Sequence, residues 1–488
     1  MHTLPLNELA SITNGQWITE PTDTAPVTGL TSDSREVTTN LAFAAIRGEK
    51  TDGHEYIAKA IASGARLVIV EQDIDPDSIH HTCPILRVDR TIDALGKLAT
   101  EHRNRLSVPV VAVVGANGKT STKAAIACAI GSFAHVRSAP KSFNNDLGVP
   151  LTLLNTTADH EAVVCEIGTN DPGETAPLAA MVQPNILVIT GAGREHLEGL
   201  GSVEGSASEI ESCLASMQQN SFIITNADEP FTSNLTAPEC TTTRIGFHEN
   251  ADARVFIDEQ SIDGITMTLR APVLLGTPVT LHLHTIAAHS ARTASMALAA
   301  SMCVAQRTGR NTREILPGII SAISNRQPEP MRMEVSSHQT GNGALTLIND
   351  AYNANPDSMQ SAMETLAAIA YGHMRVVLVL GDMRETGTHA QAVHKELADH
   401  IVSLRDQARL EIVAFLVGTS VKWTHDRLCQ AGIASHLFVE HQSCSDETAA
   451  QIAEHAKPND LVLLKASRSI GLERVAEHLV RQNAPISR

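Results

Sequence analysis

The stretch VPVVAVVG, residues 108–115, is apolar at every position and runs directly into ANGKTST. A strand with one wet face alternates in polarity; one that is apolar on both faces needs helices above and below it, the setting of a parallel sheet. The turn Gly115-Ala116-Asn117-Gly118 can bend tightly enough for several backbone N–H groups to point inward at the start of a helix, where the dipole also favours an anion. A phosphate suits that turn, with Lys119 reaching the β- and γ-phosphates and Thr120 placing a hydroxyl on Mg²⁺. The match to GxxxxGK[ST] is incomplete, because Val113 stands where the first glycine of that pattern would be. What remains is GxxGKT in the right strand–turn–helix context.

The same texture recurs. Buried-strand runs AVVCEIG, ILVITG and FIITN follow at helix-length intervals, which is the rhythm of a doubly wound sheet. Before them, residues 1–106 alternate short strands (ITNGQWI, LAFAAI, ARLVIVE, PILRV) with helical patterns and predict a small α/β module. After them, residues 252–286 alternate apolar and polar positions as an antiparallel meander does, and SARTASMALAASMCVAQ reads as a small-residue helix. Two prolines in NRQPEPM mark a linker, beyond which LTLIND, RVVLVLGDM, IVAFLVG and DLVLLKAS begin a third α/β series. The expected units are 1–106, 107–327 and 328–488, with hinges near 107 and 328.

A chain of 488 residues has room for two to four such units. The 37 Lys and Arg against 54 Asp and Glu leave a net charge of −17, which repels polyanions and excludes duplex nucleic acid as a partner, although a local nest of donors can still hold a small anion. No apolar run approaches the ~20 residues of a membrane span. The N-terminus has no basic start followed by an apolar core, so a cytoplasmic, membrane-free and monomeric protein is expected. The eight cysteines are scattered without a CxxC pair and read as reduced thiols.

A phosphate loop with Mg²⁺ needs a hard oxygen ligand at the end of a neighbouring strand. Glu166, closing AVVCE, stands at that rim, and His196 in GREHLEGL is a second rim candidate.

These motifs, taken together, carry a resemblance. GANGKTS, SFNNDLGVPLTLL (142–154), EIGTNDPGE (166–174) and HLEGLGS (196–202) resemble the ATP-dependent Mur ligases of peptidoglycan synthesis. NDAYNANPDSM (349–359), LGDMRETG (380–387), KASRS (465–469), TSDSR (31–35) and FAAIRGEKTDGHEY (43–56) extend the likeness over nearly the whole chain. It is most similar to the branch that adds D-alanyl-D-alanine to UDP-MurNAc-tripeptide. The resemblance implies an α/β, three-domain architecture: a UDP-sugar-binding domain, a central P-loop doubly wound ATPase domain and a C-terminal Rossmann-like ligase domain. It also implies an ATP- and Mg²⁺-dependent ligation through an acyl phosphate.

By motif match, Lys119, Glu166 and His196 are the implied catalytic residues, and Thr120, Glu166 and His196 the implied metal ligands. Gly115, Ala116, Asn117, Gly118, Lys119, Thr120, Ser121, His289, Arg332, Asp350 and Asn353 would hold the nucleotide. Ser32, Asp33, Ser34, Arg35, Asp52 and Gly53 would hold the uridine nucleotide, Asn144 and Asn145 the muramoyl-peptide end. Asn355 would shape the cleft, and Lys465, Ser467 and Arg468 would face the incoming dipeptide or the closing cleft.

The chain departs from the family pattern in three places. The lysine whose carbamylated side chain serves a second Mg²⁺ is absent: Ile210 stands at its position and Ser208 at the neighbouring lysine, so Glu209 or Glu211 is expected to substitute. In AAHSART (287–293), Ser290 and Thr293 replace two asparagines of the adenine-contacting stretch, with Arg292 the expected stand-in. Asn349 replaces an Asp, and Ala466 the Gly of KGSRS. These departures leave open a divergent paralogue that joins another carboxylate and amine, and a weakly active nucleotide-binding scaffold.

Overall fold

The computed structural model describes residues 4–48, 51–74, 83–340, 343–370 and 375–482. The chain forms three α/β units in sequence, one per sheet. The first sheet holds β1 (Gln16–Thr19), β2 (Gly29–Thr31), β3 (Leu41–Ala44), β4 (Leu67–Val70) and β5 (Ile85–Arg87), in the order β1-β5-β4-β3-β2, parallel except for β1.

The central sheet has nine strands: β6 (Val110–Val114), β7 (Val136–Ser138), β8 (Ala162–Glu166), β9 (Ile186–Ile189), β10 (Phe222–Asn226), β11 (Thr241–Gly246), β12 (Ala253–Ser261), β13 (Gly264–Arg270) and β14 (Val279–Leu283). Their order is β14-β13-β12-β11-β10-β9-β6-β8-β7. Every residue of β6, β8 and β9 is buried, as their unbroken apolar sequence requires. The predicted meander is β12-β13-β14, and it extends the parallel sheet by antiparallel pairing instead of standing apart. The small-residue helix His289–Arg307 is buried along most of its length beneath this sheet.

The third sheet comprises β15 (Glu334–Thr340), β16 (Gly343–Asn349), β17 (Arg375–Gly381), β18 (Glu411–Val417), β19 (Ala434–Phe438) and β20 (Leu461–Lys465), ordered β15-β16-β20-β17-β18-β19. It is parallel from β16 to β19, with β15 added antiparallel.

The first junction is not a free hinge. One apolar cluster runs from Leu30, Leu95 and Leu98 of the first unit into Val149, Leu153 and Val182 of the second. Arg103, buried at the end of helix Thr91–Asn104, donates to the carbonyls of Val182 and Gln183 at 2.8 Å each. The Asn155 side-chain amide pairs both ways with the Leu30 backbone, accepting its N–H at 3.0 Å and donating to its carbonyl at 2.7 Å. The second and third units meet differently, across a polar cleft.

Candidate active site

β6 delivers the chain to Gly115, whose φ of +130° is open only to glycine, and a Cβ there would sit 2.2 Å from Thr190 Oγ1. Gly118, at φ +82°, starts helix Lys119–Gly131. The loop is folded inward on its own lysine. Lys119 Nζ donates to the Gly115 carbonyl at 2.6 Å, the Ala116 carbonyl at 2.9 Å and Glu195 Oε1 at 2.6 Å. Glu195 is 8% exposed, and burial pushes its carboxyl above the ordinary range although Lys119 pulls it down.

Glu166 ends β8 and is fully buried. Its Oε1 accepts from Thr120 Oγ1 and from Asn144 Nδ2, both at 3.1 Å. Its Oε2 faces the Lys123 ammonium at 3.2 Å yet accepts no hydrogen bond. Lys123 itself donates to the Lys141 carbonyl. His196, at φ +48°, places Nδ1 2.5 Å from Glu385 Oε2 of the third unit. Burial works against its protonation, but Glu385 and the field of Glu195 outweigh it and raise its pKa. Glu385 is correspondingly lowered by its bond to His196.

The opposite wall is built by the third unit. Lys465, at the end of β20 and buried, reaches Asp350 Oδ2 at 2.5 Å and the Asn353 carbonyl at 3.1 Å. Asp350 Oδ1 accepts from the Met333 N–H at 3.1 Å, so both of its oxygens are engaged within the unit. The Arg332 guanidinium stacks over the Tyr352 ring at 4.0 Å, and Tyr352 Oη meets Ser142 Oγ of the central unit at 2.9 Å. Asn355 caps helix Pro356–Ile369 with a capping box, and its Nδ2 donates to Asn117 Oδ1 in the glycine turn at 2.7 Å. In the first turn of that helix, Asp357 accepts from the Arg194 backbone N–H at 2.7 Å and from Arg194 Nε at 2.6 Å. Arg194 Nη1 also reaches both oxygens of Glu396, at 2.9 and 2.7 Å.

Between these walls lies a cavity of about 770 Å³. It brings together Ala116, Asn117, Gly118, Lys119, Thr120, Ser121, Asn144, Glu166 and His196 with His289, Arg332, Asp350, Asn353, Asn355 and Lys465. Ser290, Arg292 and Thr293 line its far end, where Arg292 is held by Asp228 at 2.9 Å. The linker is part of the wall as well, through Pro328 and Glu329.

Other expected residues lie outside this cavity. Asn145 accepts from the Gly148 N–H at 2.9 Å, starting a helix. Ser467 is buried, accepts from the Arg384 N–H at 2.9 Å and donates to the Ala354 carbonyl at 3.3 Å. Arg468 turns outward to Glu473 at 2.7 Å. In the first unit, Asp33 and Arg35 pair at 2.6 Å, and the Arg35 guanidinium holds the Asp33 carboxyl at about 2. Ser32 precedes that pair and Ser34, which is buried, lies between its two members in sequence. Asp52 caps the turn Gly53–Tyr56, held at about 2 by the His54 N–H and ring. Gly53 lies so close to the Ile46 backbone that a Cβ would be 2.6 Å from its nitrogen.

The glutamates expected to replace the carbamate do not reach the cleft. Glu209 accepts from the N–H groups of Gly173 at 2.8 Å and Thr175 at 3.2 Å, satisfying the start of helix Thr175–Val182, and Glu211 is exposed. Helix geometry decides this: the first carboxylate is spent on orphan donors and the second points off the other face. Glu195 also lines the cleft, and the sequence does not single it out, because a charge beside the HLE motif in a loop carries no periodic signal. Glu385 and Asp357 went unassigned because only tertiary folding sets them against His196 and Arg194.

Three family descriptions match the chain in order: "Mur ligase family, catalytic domain" over residues 26–103, "Mur ligase middle domain" over 113–301 and "Mur ligase, glutamate ligase domain" over 331–468. The UDP-N-acetylmuramoyl-tripeptide–D-alanyl-D-alanine ligase of Bacillus subtilis is 28% identical over 99% of both chains. The enzyme of the same name from Escherichia coli K12 is 29% identical over 98% of this chain and 99% of its own. Among solved structures, MurF from Acinetobacter baumannii superposes with a TM-score of 0.80 at 25% identity, covering 98% of this chain and 99% of that one. MurF from Thermotoga maritima in complex with ADP gives 0.74 at 24% identity over 93% and 97%.

Proposed function

The chain belongs to the Mur ligase family, and from that premise we propose that it is an ATP-dependent peptide ligase adding D-alanyl-D-alanine to UDP-MurNAc-tripeptide. The observation that carries the reading is the cleft itself, a glycine-turn lysine, a hydroxyl and a buried rim acid from one unit facing the Asp350–Lys465 wall of another. We assign the uridine-nucleotide end to residues 1–106, the nucleotide triphosphate to 107–327 and closure to 328–488.

The substrate carboxylate and the γ-phosphate are both anions, so the site must supply positive charge where they meet. A carboxylate oxygen attacks the γ-phosphorus, the β–γ bridge breaks and ADP leaves. The amine of the dipeptide then attacks the acyl carbon, and the tetrahedral intermediate expels phosphate to leave the amide. Lys119, freed from its inward contacts, neutralises the transferring phosphoryl group, and the backbone N–H groups of the glycine turn hold the chain of phosphates. Arg332 and Lys465 add charge from the third unit. Catalysis is positioning and neutralisation, with no proton shuttle demanded of the protein at the phosphorylation step.

The donors suit a magnesium ion. Thr120 and Glu166 offer hard oxygens 3.1 Å apart, and Glu166 Oε2 accepts no hydrogen bond. His196 is tied through Nδ1 to Glu385, so Nε2 is the nitrogen that would face the ion. Among the described residues no three His, Cys, Asp or Glu side chains form a ready cage, which accords with an ion that keeps waters and shares substrate phosphates. When bound, Mg²⁺ would neutralise phosphate oxygens. No described helix is long and apolar enough to cross a membrane.

The test is ADP release with purified UDP-MurNAc-tripeptide, with and without D-alanyl-D-alanine. Release that requires both substrates supports the proposal. Release only with other carboxylates or amines points to a divergent ligase, and no release with any acceptor points to a scaffold.

A further inference from the structure

We propose that Tyr352 is a positioning residue: carried by the third unit, its hydroxyl heads a one-way chain of hydroxyls that ends on Glu166 and fixes Thr120 when the cleft is closed. The proposal rests on the nucleotide-binding reading above. The links are Tyr352 Oη to Ser142 Oγ at 2.9 Å, Ser142 Oγ to Thr120 Oγ1 at 3.2 Å and Thr120 Oγ1 to Glu166 Oε1 at 3.1 Å. Each hydroxyl has one proton to give, and an ionised carboxylate can only accept. Thr120 therefore spends its proton on Glu166. Ser142 must then give its own to Thr120, and Tyr352 its own to Ser142. Of the two lone pairs on Thr120 Oγ1, one accepts from Ser142 and the other is left for a ligand of the cavity that Thr120 lines.

Both ends of the chain are anchored. The Tyr352 ring lies under the Arg332 guanidinium at 4.0 Å, and its backbone N–H donates to the Met331 carbonyl at 3.2 Å. On the other side, buried Lys123 faces Glu166 and donates to the carbonyl of Lys141, the residue before Ser142, whose φ is +48°. Asn144, two residues after Ser142, donates to Glu166 at 3.1 Å. Ser142 is thus pinned from both flanks within the central unit.

Tyr352 is the one member of the chain borne by the third unit. When the cleft opens it leaves, the Ser142 hydroxyl is free to turn, and Thr120 loses its fixed direction. Hydrogen bonds in series strengthen one another, so a break at the first link is felt at the last.

The experiment takes the full chain with its three tyrosines labelled with ¹³C at Cζ, the carbon that bears the hydroxyl, and assigns to Tyr352 the signal missing from Tyr352→Phe. Ser142→Ala should move that signal. Thr120→Val, which trades the hydroxyl for a methyl of the same shape, should move it too, although Thr120 lies one link further away. The other two signals staying in place report an intact fold. Calorimetry then measures ADP in the presence of Mg²⁺. Tyr352→Phe, which keeps the ring, should weaken ADP about fivefold, as the loss of one neutral hydrogen bond does. Ser142→Ala should cost about the same, and the double variant no more than either single, because one chain is broken only once. A Tyr352 signal that Thr120→Val leaves in place, ADP affinity unchanged in Tyr352→Phe, or losses that multiply in the double variant overturn this proposal alone. A native protein that binds no ADP overturns the nucleotide reading and this proposal with it.

Discussion

Arg194 is the main charged tie between the central unit and the closing third unit, and removing its side chain should open the cleft. Its guanidinium meets Asp357 at 2.6 Å and Glu396 at 2.7 Å, with the three side chains 26%, 33% and 39% exposed. Shielded hydrogen bonds between charged groups are worth about 1.5–3 kcal/mol, and exposed pairs about 0.2–1 kcal/mol. At roughly one-third exposure, about 1 kcal/mol per carboxylate is the appropriate figure, so about 2 kcal/mol for the two. Since 1.4 kcal/mol is tenfold, Arg194→Ala should shift the closed-to-open ratio about 30-fold toward open. The Arg194 backbone N–H on Asp357 survives the substitution, so closure is weakened and not abolished. Single-molecule energy transfer between one dye on the central unit and one on the third reads the ratio directly. Arg194→Lys, a point charge that cannot span both carboxylates, should lose about half the effect. Raising the salt to about 0.5 M should open the native protein part of the way. Identical distance distributions for the native and Arg194→Ala proteins at low salt would refute the reasoning.

Lys119→Met should weaken ADP binding by at least about tenfold, because a charged hydrogen bond to phosphate has no substitute in the loop; calorimetry checks it, and undiminished affinity rejects the P-loop role. Asn155→Ala should destabilise the docked first unit by about 2 kcal/mol, since it strips partners from both the N–H and the carbonyl of Leu30; denaturant titration with unchanged midpoint would show the staple to be idle. His394 is fully buried, accepting the Met383 N–H on Nε2 and donating from Nδ1 to Ala390, and burial depresses its pKa despite that bond and nearby Asp382. The unfolded state therefore binds more protons than the native state below about pH 6.5, and the neutral ring's stability is lost as pH falls through that value. The loss of Tm between pH 7.5 and 5.5 should be smaller in His394→Gln than in the native protein, and equal losses would acquit this ring.

The strongest strands were legible because they are buried on both faces. β6, β8, β9 and β17 could be read from composition alone, whereas β7, β11 and β19 could not: they are short or half-buried, and TTTRIG and ASHLF alternate too weakly to declare a period. The phosphate-loop side of the cleft was equally readable, since backbone, lysine and hydroxyl are consecutive. What completes it was not. Glu195 next to a known motif, Glu385 in a left-handed turn and Asp357 in a helix start each look like ordinary surface acids until folding sets them against a cation. The reverse error has the same origin, for Glu209 has the right charge at the right distance in sequence but is consumed by the helix beside it.

The first turn of helix Pro356–Ile369 is gripped twice by the central unit, at the glycine turn through Asn355 and at the rim through Asp357. The same amide that caps the helix start holds the glycine turn, so any displacement of the turn pulls directly on the third unit. A molecule lodged at the Asn117–Asn355 seam, itself part of the cleft wall, would part the turn from the helix and bear on both units at once.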